Sequence, residues 1–303
     1  MTTASQAHQQ EHPRAMRVGF LGVGLMGSAM AHRLLSEGFP VVVWDRDTSH
    51  VEVVGRQGAD IADSPGGVVS AADVVITMLP TADVVRTVVD PLLPQWPATT
   101  IWLQMSSVGA AESDVLTRLA ADHGVILFDA PVSGSTRPAE EGKLTILASG
   151  PETARPRVEP VLDALASRIQ WVGEAGMGSR LKLAANHWMI TMVAALAETM
   201  HVCELMDLDQ EQFIALLDGG PLGSSYALQK LDEMRRHEYP AGFPVRLAIK
   251  DLGLVREVAQ TAHQEMPLLD AALQRMSVVA SSHSDDDLAA VYELGWEPDA
   301  PDR

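Results

Sequence analysis

The sequence predicts an α/β chain, with an N-terminal doubly wound parallel sheet joined by one long helix to an all-α C-terminal domain. Three observations carry this expectation. Short apolar strands alternate with helices through the first half, the pattern of a parallel sheet covered on both faces. A glycine-rich turn, Gly22-Val23-Gly24-Leu25-Met26-Gly27, separates the first strand from the first helix. After it the second half contains only helical runs, beginning with one from Leu181 to Leu208 that is apolar on most faces.

With 303 residues the chain is long enough for two domains with their own cores. The expected division is a leader over 1–15, a nucleotide-binding domain over 16–175, a linking helix over 176–208, an all-α domain over 209–296 and a tail over 297–303. The chain is 47% hydrophobic and 20% charged, which is the composition of a globular protein. Its 40 acidic residues against 22 basic ones give a net charge of −18. That balance argues against nucleic acid and anionic membrane surfaces as general partners, while leaving room for a local basic pocket that takes an anion. A single cysteine, Cys203, rules out an internal disulfide and fits a reducing, cytoplasmic setting. Its apolar helical neighbours place it in a core. The leader lacks an apolar run, so it does not read as a signal peptide, and no segment holds eighteen consecutive apolar residues, so no membrane span is expected.

Met16 to Leu21 reads as a buried strand that runs into the glycine turn, and Ser28 to Leu35 continues as a helix stopped by Gly38. A second strand, Val41 to Trp44, follows. A G-x-G-x-x-G pattern between strand and helix has a mechanical meaning. Gly22 permits the tight turn, Gly24 lets the backbone approach a pyrophosphate and Gly27 allows close helix packing, with phosphates drawn to the helix N-terminus. Val23, Leu25 and Met26 complete this Rossmann-type loop. The second strand ends at Asp45-Arg46-Asp47, where the adenosine ribose is read. Asp45 would accept from the ribose hydroxyls of NAD and repel a 2′-phosphate, whereas Arg46 could stack on adenine or pair with that phosphate. Two carboxylates beside one arginine favour NAD and leave NADP open.

The alternation continues with an N-cap and N1 proline at Ser64-Pro65, a strand Val74 to Leu79, a helix Asp83 to Val89, a strand Thr100 to Leu103, a helix Ala110 to Asp122 and a strand Val125 to Phe128. Loops at the strand ends, including Leu79-Pro80 and Ser106-Ser107, should line a cofactor crevice. Asp129-Ala130-Pro131-Val132-Ser133-Gly134-Ser135 then offers two hydroxyls around an unencumbered glycine, which suits a carboxylate but also describes an ordinary turn. A strand Leu144 to Ala148, a helix Pro151 to Leu165 and a strand Ile169 to Val172 complete the first half.

Gly176 and Gly178 allow a sharp turn before the long helix, and Lys182 and Asn186, four apart, share one face of it. An ammonium and a carboxamide side by side near a domain junction form a candidate ligand site, against the plainer reading of solvated surface. His187 lies about 100° further round and faces either pocket or core. Lys250-Asp251, in a helix from Val245 to Thr261, is surface charge or a second basic contribution to the junction. Further helices are expected over 210–217, 225–234, 268–282 and 284–294. Ser284 with Asp287 reads as a capping box, so Asp285-Asp286-Asp287 is helix-start charge, and no cluster has metal-ligand spacing.

In this order, the glycine loop, Asp129 to Ser135 with Pro138-Ala139-Glu140, Gly176-x-Gly178-x-x-x-Lys182-x-x-x-Asn186, and Lys250-Asp251-Leu252 resemble the β-hydroxyacid dehydrogenase family. Its members include 3-hydroxyisobutyrate dehydrogenases, tartronate semialdehyde reductases and glyoxylate/succinic semialdehyde reductases. The resemblance runs from about Met16 to Trp296. It implies an NAD(P)-dependent dehydrogenase acting on a small carboxylate-bearing 3-hydroxy acid or semialdehyde. Lys182 would be the proton donor and acceptor, with Asn186 at the substrate hydroxyl, Ser133, Gly134 and Ser135 at its carboxylate, and Lys250 with Asp251 toward the cofactor. It also implies a homodimer or higher oligomer formed through the C-terminal helical domain. His187 stands where the family often has a second Asn, and Gln104 where an acidic residue is common. Asp45-Arg46-Asp47 replaces the Asn-Arg-Ser/Thr of NADP users. An imine reductase of the same fold is disfavoured by Lys182, and a non-catalytic nucleotide-binding scaffold by the joint presence of Lys182, Asn186, Ser133 and Lys250.

Overall fold

Strand β1 (Val18–Leu21) enters the glycine turn and leaves as α1 (Leu25–Ser36), and this unit is repeated along the first half. It is followed by β2 (Val41–Trp44), α2 (Thr48–Gly55), β3 (Asp60–Ile61), α3 (Pro65–Ala71), β4 (Val74–Thr77), α4 (Ala82–Val89), β5 (Ile101–Gln104), α5 (Ala110–Asp122) and β6 (Leu127–Asp129). The computed structural model describes residues 16–295; the expected leader, Trp296 and the tail lie outside the described residues. The chain divides into two compact units that meet between Ser179 and Arg180.

In the first unit the six strands are parallel and ordered β3-β2-β1-β4-β5-β6. This is the doubly wound dinucleotide-binding order. Adjacent strand residues feed different cores: Phe20, Val43, Ile76 and Leu103 pack on one face, while Leu21, Val42, Val75 and Trp102 pack on the other. Alternation with both faces buried explains why the strands read as unbroken apolar runs. Ser64 caps α3 through Gly67 N, with Pro65 at its first position, and Thr81 caps α4 through Val84 N.

Three departures from the sequence expectation have local causes. Helix α2 and the two-residue β3 went unread; Asp47 starts α2 by accepting from Ser49 N. The run expected as one helix over 151–165 is a 3-10 turn, Glu152–Arg157, then α7 (Glu159–Leu165), because Pro156 cannot donate within a helix. The sheet ends at β6. Strands β7 (Val132–Ser133), β8 (Leu144–Ala148) and β9 (Ala166–Trp171), with α6 (Thr136–Glu140) between the first two, form a separate sheet in which β7 pairs antiparallel to β8.

Helix α8 (Met177–Leu205) leads into the second unit, which adds α9 (Gln210–Leu217), α10 (Ser225–Arg236), α11 (Val245–Thr261), α12 (Pro267–His283) and a 3-10 turn, Leu288–Glu293. Helix α8 is long and apolar enough to cross a membrane, a property that a buried core helix shares. In this unit its Ile190, Val193, Ala197 and Met200 join Leu231, Met234, Leu252, Leu273 and Met276 in one core. Cys203 is buried, as expected, whereas Met206 is exposed beyond the helix end. The helix expected from Ser284 is corrected to the 3-10 turn capped by Asp287, which accepts from Ala289 N. Asp287 is fully buried and also accepts from Lys230 Nζ at 2.8 Å and from Phe243 N at 2.9 Å. Its charge is therefore part of an internal ion pair, not surface charge at a helix start.

Candidate active site

At the C-terminal edge of the first unit's sheet, the glycine loop is shaped by close backbone approaches. Gly22 has φ +98, and a Cβ there would lie 2.4 Å from Met78 O. A Cβ on Gly27 would lie 2.3 Å from Gly22 O, so both positions exclude any other residue. Gly24, the N-cap of α1, faces open space with no side chain satisfying the helix start. Backbone N–H groups at a helix N-terminus with room above them fit a pyrophosphate. Val23 and Gly27 are buried, while Leu25 is 80% exposed.

Asp45 fixes the loop to the end of β2: its carboxylate accepts from Val23 N at 2.8 Å and Asp47 N at 2.9 Å, with His50 Nδ1 3.6 Å away. Asp47 is exposed, and the hydroxyl and amide of Ser49 hold its carboxyl below the usual carboxylate range. Arg46 beside it is exposed. The residues present therefore fit a dinucleotide at this edge.

Next to them, buried Gln104 organises the neighbouring strand ends. Its Oε1 accepts from Ser106 N and its Nε2 donates to Ser106 O, both at 2.8 Å, while Ser106 Oγ accepts from Leu79 N at 2.8 Å. One carboxamide thus sets the Leu79-Pro80 and Ser106-Ser107 loops together. The sequence flagged Gln104 only as a departure from a family pattern; a polar residue in phase within an apolar strand was the available signal.

Ser133 lies in β7 opposite Thr145, and Gly134 follows with φ +131. Both are exposed, and Ser135 is half-buried at the start of α6, where its hydroxyl does not cap the helix. Upstream, Asp129 is buried and accepts from Ser179 N and Ser179 Oγ, each at 2.7 Å. Burial pushes its carboxyl above the usual carboxylate range, against these hydrogen bonds. Asp129 was read only as part of the loop sequence; a carboxylate closing the buried run Leu127-Phe128-Asp129 was the signal for a role of its own.

The second unit gathers Lys182, Asn186, Lys250 and Asp251. Lys182 and Asn186 are both buried on α8. Asn186 Nδ2 donates to Asp251 Oδ2, and Lys250 Nζ stands 3.3 Å from Asp251 Oδ1. Asp251, expected toward the cofactor, is thus engaged with Asn186 from α11. The pKa of Lys182 falls from 10.5 to about 8, chiefly through burial, with Lys250 pushing the same way and Asp251 opposing. A lysine so placed exchanges its proton near neutral pH. His187 is half-buried, with Nε2 shielded and lacking a hydrogen-bond partner. No group of His, Cys, Asp and Glu among the described residues could hold a metal ion.

Comparison with known proteins agrees with this arrangement over nearly the whole chain. Residues 17–173 match the family described as the NAD binding domain of 6-phosphogluconate dehydrogenase. Residues 176–294 match the family described as NAD-binding of NADP-dependent 3-hydroxyisobutyrate dehydrogenase. The chain is 32% identical to 2-(hydroxymethyl)glutarate dehydrogenase of Eubacterium barkeri, over 94% of this chain and 96% of that one. It is also 32% identical to glyoxylate/succinic semialdehyde reductase 1 of Arabidopsis thaliana, over 92% and 98%. Among solved structures, 3-hydroxyisobutyrate dehydrogenase of Mycobacterium tuberculosis with L-serine superposes with a TM-score of 0.87 at 28% identity, covering 92% of this chain and 98% of that one. With the parallel dinucleotide-binding sheet, the helical unit and these matches together, the chain belongs to the β-hydroxyacid dehydrogenase family and is a nicotinamide-dependent oxidoreductase.

Proposed function

We propose that the protein oxidises a small carboxylate-bearing 3-hydroxy acid, or reduces the matching semialdehyde, with Lys182 exchanging the proton. The observation that carries this reading is a buried lysine whose pKa lies at about 8, one turn from a buried asparagine. When bound, the nicotinamide supplies the hydride acceptor or donor at the carbon bearing oxygen. Neutral Lys182 Nζ accepts the hydroxyl proton in oxidation, and the protonated form returns it in reduction. In reduction its positive charge also stabilises the developing alkoxide. Asn186, oriented by Asp251, holds the hydroxyl region, with its Oδ1 still available as acceptor. The hydroxyls and backbone of exposed Ser133 and Gly134 and half-buried Ser135 bind the carboxylate, and Lys250 contributes positive charge beside Lys182.

Support for the substrate class comes from the relatives' activities and from L-serine, itself a small 3-hydroxy acid, in the mycobacterial structure. For the cofactor we favour NAD, because Asp45 and Asp47 put two carboxylates at the end of β2, the kind of strand end at which the adenosine ribose of a dinucleotide is read. We further propose a cytoplasmic homodimer formed through the helical unit, without nucleic acid or membrane partners. Trp188 (67% exposed), Leu205 (81%) and Leu268 (75%) supply its apolar contact, and light scattering tests it.

The test of the main reading is Lys182→Ala, assayed with NAD and NADP in parallel across hydroxy acids, semialdehydes and cyclic imines. Turnover of the best hydroxy acid should fall by at least a hundredfold, on the order expected for general acid–base catalysis. A loss below about tenfold would remove Lys182 from the proton path, and preferential turnover of imines would replace the reading with an imine reductase.

A further inference from the structure

We propose that Asp129 is a positioning residue for Lys182, clamping the first turn of α8 to the strand end that leads into the Ser133-Gly134-Ser135 loop. The inference rests on the reading of Lys182 given above.

The clamp is built entirely within the first unit. Asp129 is 1% exposed; its two carboxylate oxygens accept from the backbone N–H and the hydroxyl of Ser179 at 2.7 Å each, with weaker contributions from the hydroxyls of Ser149 and Ser113. Ser149 joins from β8's end. Its hydroxyl donates to Asp129 O at 2.9 Å and accepts from Gly178 N at 2.9 Å, while the Asp129 and Ser149 backbones exchange hydrogen bonds at 2.9 and 2.8 Å. The helix start is seated tightly on this bridge. A Cβ on Gly178 would come 2.2 Å from Leu147 O, 2.8 Å from Asp129 O and 3.1 Å from Pro131 Cδ. On its other side the segment is held by Ala130 N donating to Gln104 O at 2.8 Å and Leu147 N donating to Pro131 O at 3.0 Å.

A side-chain cap ordinarily satisfies one of a helix's four orphan N–H groups, and Ser, Thr or Asn does so without burying a charge. A carboxylate desolvated at this point, holding two donors of the same residue, does more than satisfy one orphan amide. Two bonds from one side chain fix both the height of the first turn and its rotation about the helix axis. Lys182 follows Ser179 by three residues, about 4.5 Å further along the same helix and about 300° round. Any rotation of the turn at Ser179 therefore swings the lysine ammonium by a comparable angle. Displacements of about 1 Å cost up to about a hundredfold in rate when a proton must pass along a hydrogen bond.

The experiment compares Asp129→Leu and Asp129→Asn, each alone and combined with Lys182→Ala. Turnover is measured with L-serine, or with the most active hydroxy acid of the panel, and NAD dissociation constants by fluorescence titration. Asp129→Leu should lower kcat by about thirtyfold or more while KM changes less than about threefold and NAD affinity less than about twofold. Asp129→Asn keeps an oxygen for Ser179 N and should recover most of that loss. In the Lys182→Ala background Asp129→Leu should add less than about threefold, because the residue it positions is gone. Equal losses in both backgrounds, or a parallel fall in NAD affinity, would overturn the proposal. Near-normal turnover of Lys182→Ala alone would instead overturn the reading of Lys182. If Asp129→Leu does not fold, Ser179→Ala, which removes one of the two bonds, decides: a fall in kcat at unchanged NAD affinity supports the clamp, and unchanged kcat refutes it.

Discussion

Replacing Lys182 with methionine should stabilise the protein at the same time as it removes activity. Methionine matches the length of the lysine stem without its charge, so it fills the same buried space. The drop in the lysine pKa from 10.5 to about 8 measures how much the fold disfavours the ammonium. At about 1.4 kcal/mol for each factor of ten, protonated Lys182 costs the folded state about 3 kcal/mol. The unfolded chain binds this proton more tightly than the folded one, so stability rises with pH between the two values. The cost is therefore complete below pH 8, shrinks from pH 8 to 10.5 and is gone above. Relative to the parent chain, Lys182→Met should gain up to about 3 kcal/mol at pH 6 to 7 and lose that advantage progressively toward pH 10.5. Urea unfolding of both proteins at unit intervals from pH 6 to 10 reads this directly, as a difference in midpoint that narrows with alkalinity. A difference independent of pH, or a variant less stable at pH 6, would refute the argument that burial holds this lysine near neutrality.

The pH profile should follow the same balance: kcat/KM for oxidation rises through about pH 8, where Lys182 loses its proton, and that for reduction falls there. Asp251→Asn removes the group that holds the proton on, so the limb moves to lower pH; Lys250→Met removes a repelling charge and moves it higher. Asp287→Ala leaves Lys230, 2% exposed, paired with Glu233 alone among the described residues, and should lower stability by about 3–5 kcal/mol, read as a fall in the urea midpoint. Gly178→Ala forces a methyl against Leu147 O and Asp129 O and should cost on the order of 1–3 kcal/mol, seen in the melting of the first unit. Joint replacement of Asp45 and Asp47 by Asn and Ser should shift the kcat/KM ratio of NADP to NAD upward by at least tenfold; an unchanged ratio would refute their part in cofactor choice.

What could be read in advance follows the range of the interactions that set it. The strand, glycine turn, helix and second strand from Val18 to Trp44 obey local rules, since Gly22 and Gly27 answer to backbone a few residues away or on the adjoining strand. The helix boundaries at Ser64-Pro65 and at Gln210 to Leu217 were equally local. Where reading failed, a distant partner decided. Asp287 looked like one of three helix-start carboxylates, and only the arrival of Lys230 from α10 makes it an interior ion. Asp129 looked like a loop residue until Ser179, fifty positions later, closed on it. The same holds for Gln104, whose Oε1 accepts from Thr77 Oγ1 on β4, and for Ser106, whose hydroxyl accepts from Leu79 N. The candidate site residues stand in short motifs with fixed spacing; that Asp251 binds Asn186 and Asp129 binds Ser179 is a matter of distant pairing, which no motif spells out.

The tuning of Lys182 depends on how Asp251 divides its charge. A lysine buried alone can fall by three to five pKa units, and a lysine paired closely with a carboxylate keeps its proton well above neutrality. Neither extreme serves a reversible proton exchange near pH 8. Here Asp251 gives one oxygen to Asn186 Nδ2 and has Lys250 Nζ 3.3 Å from the other, so its attraction is shared before it reaches Lys182. Burial remains the largest influence on Lys182, and Asp251 offsets only part of it. The Lys250-Asp251 pair on α11 therefore acts on the lysine of α8 as a partly neutralised dipole, strong enough to keep the ammonium accessible for reduction and weak enough to let the free amine form for oxidation. Asn186 gains from the same contact, since an amide that donates to a fixed carboxylate presents its own oxygen in one orientation. A single carboxylate thereby sets the protonation of one catalytic candidate and the direction of the other, which is why Asp251→Asn should move both the pH limb and the KM for the hydroxy acid, whereas Lys250→Met should move the limb without disturbing the Asn186 contact.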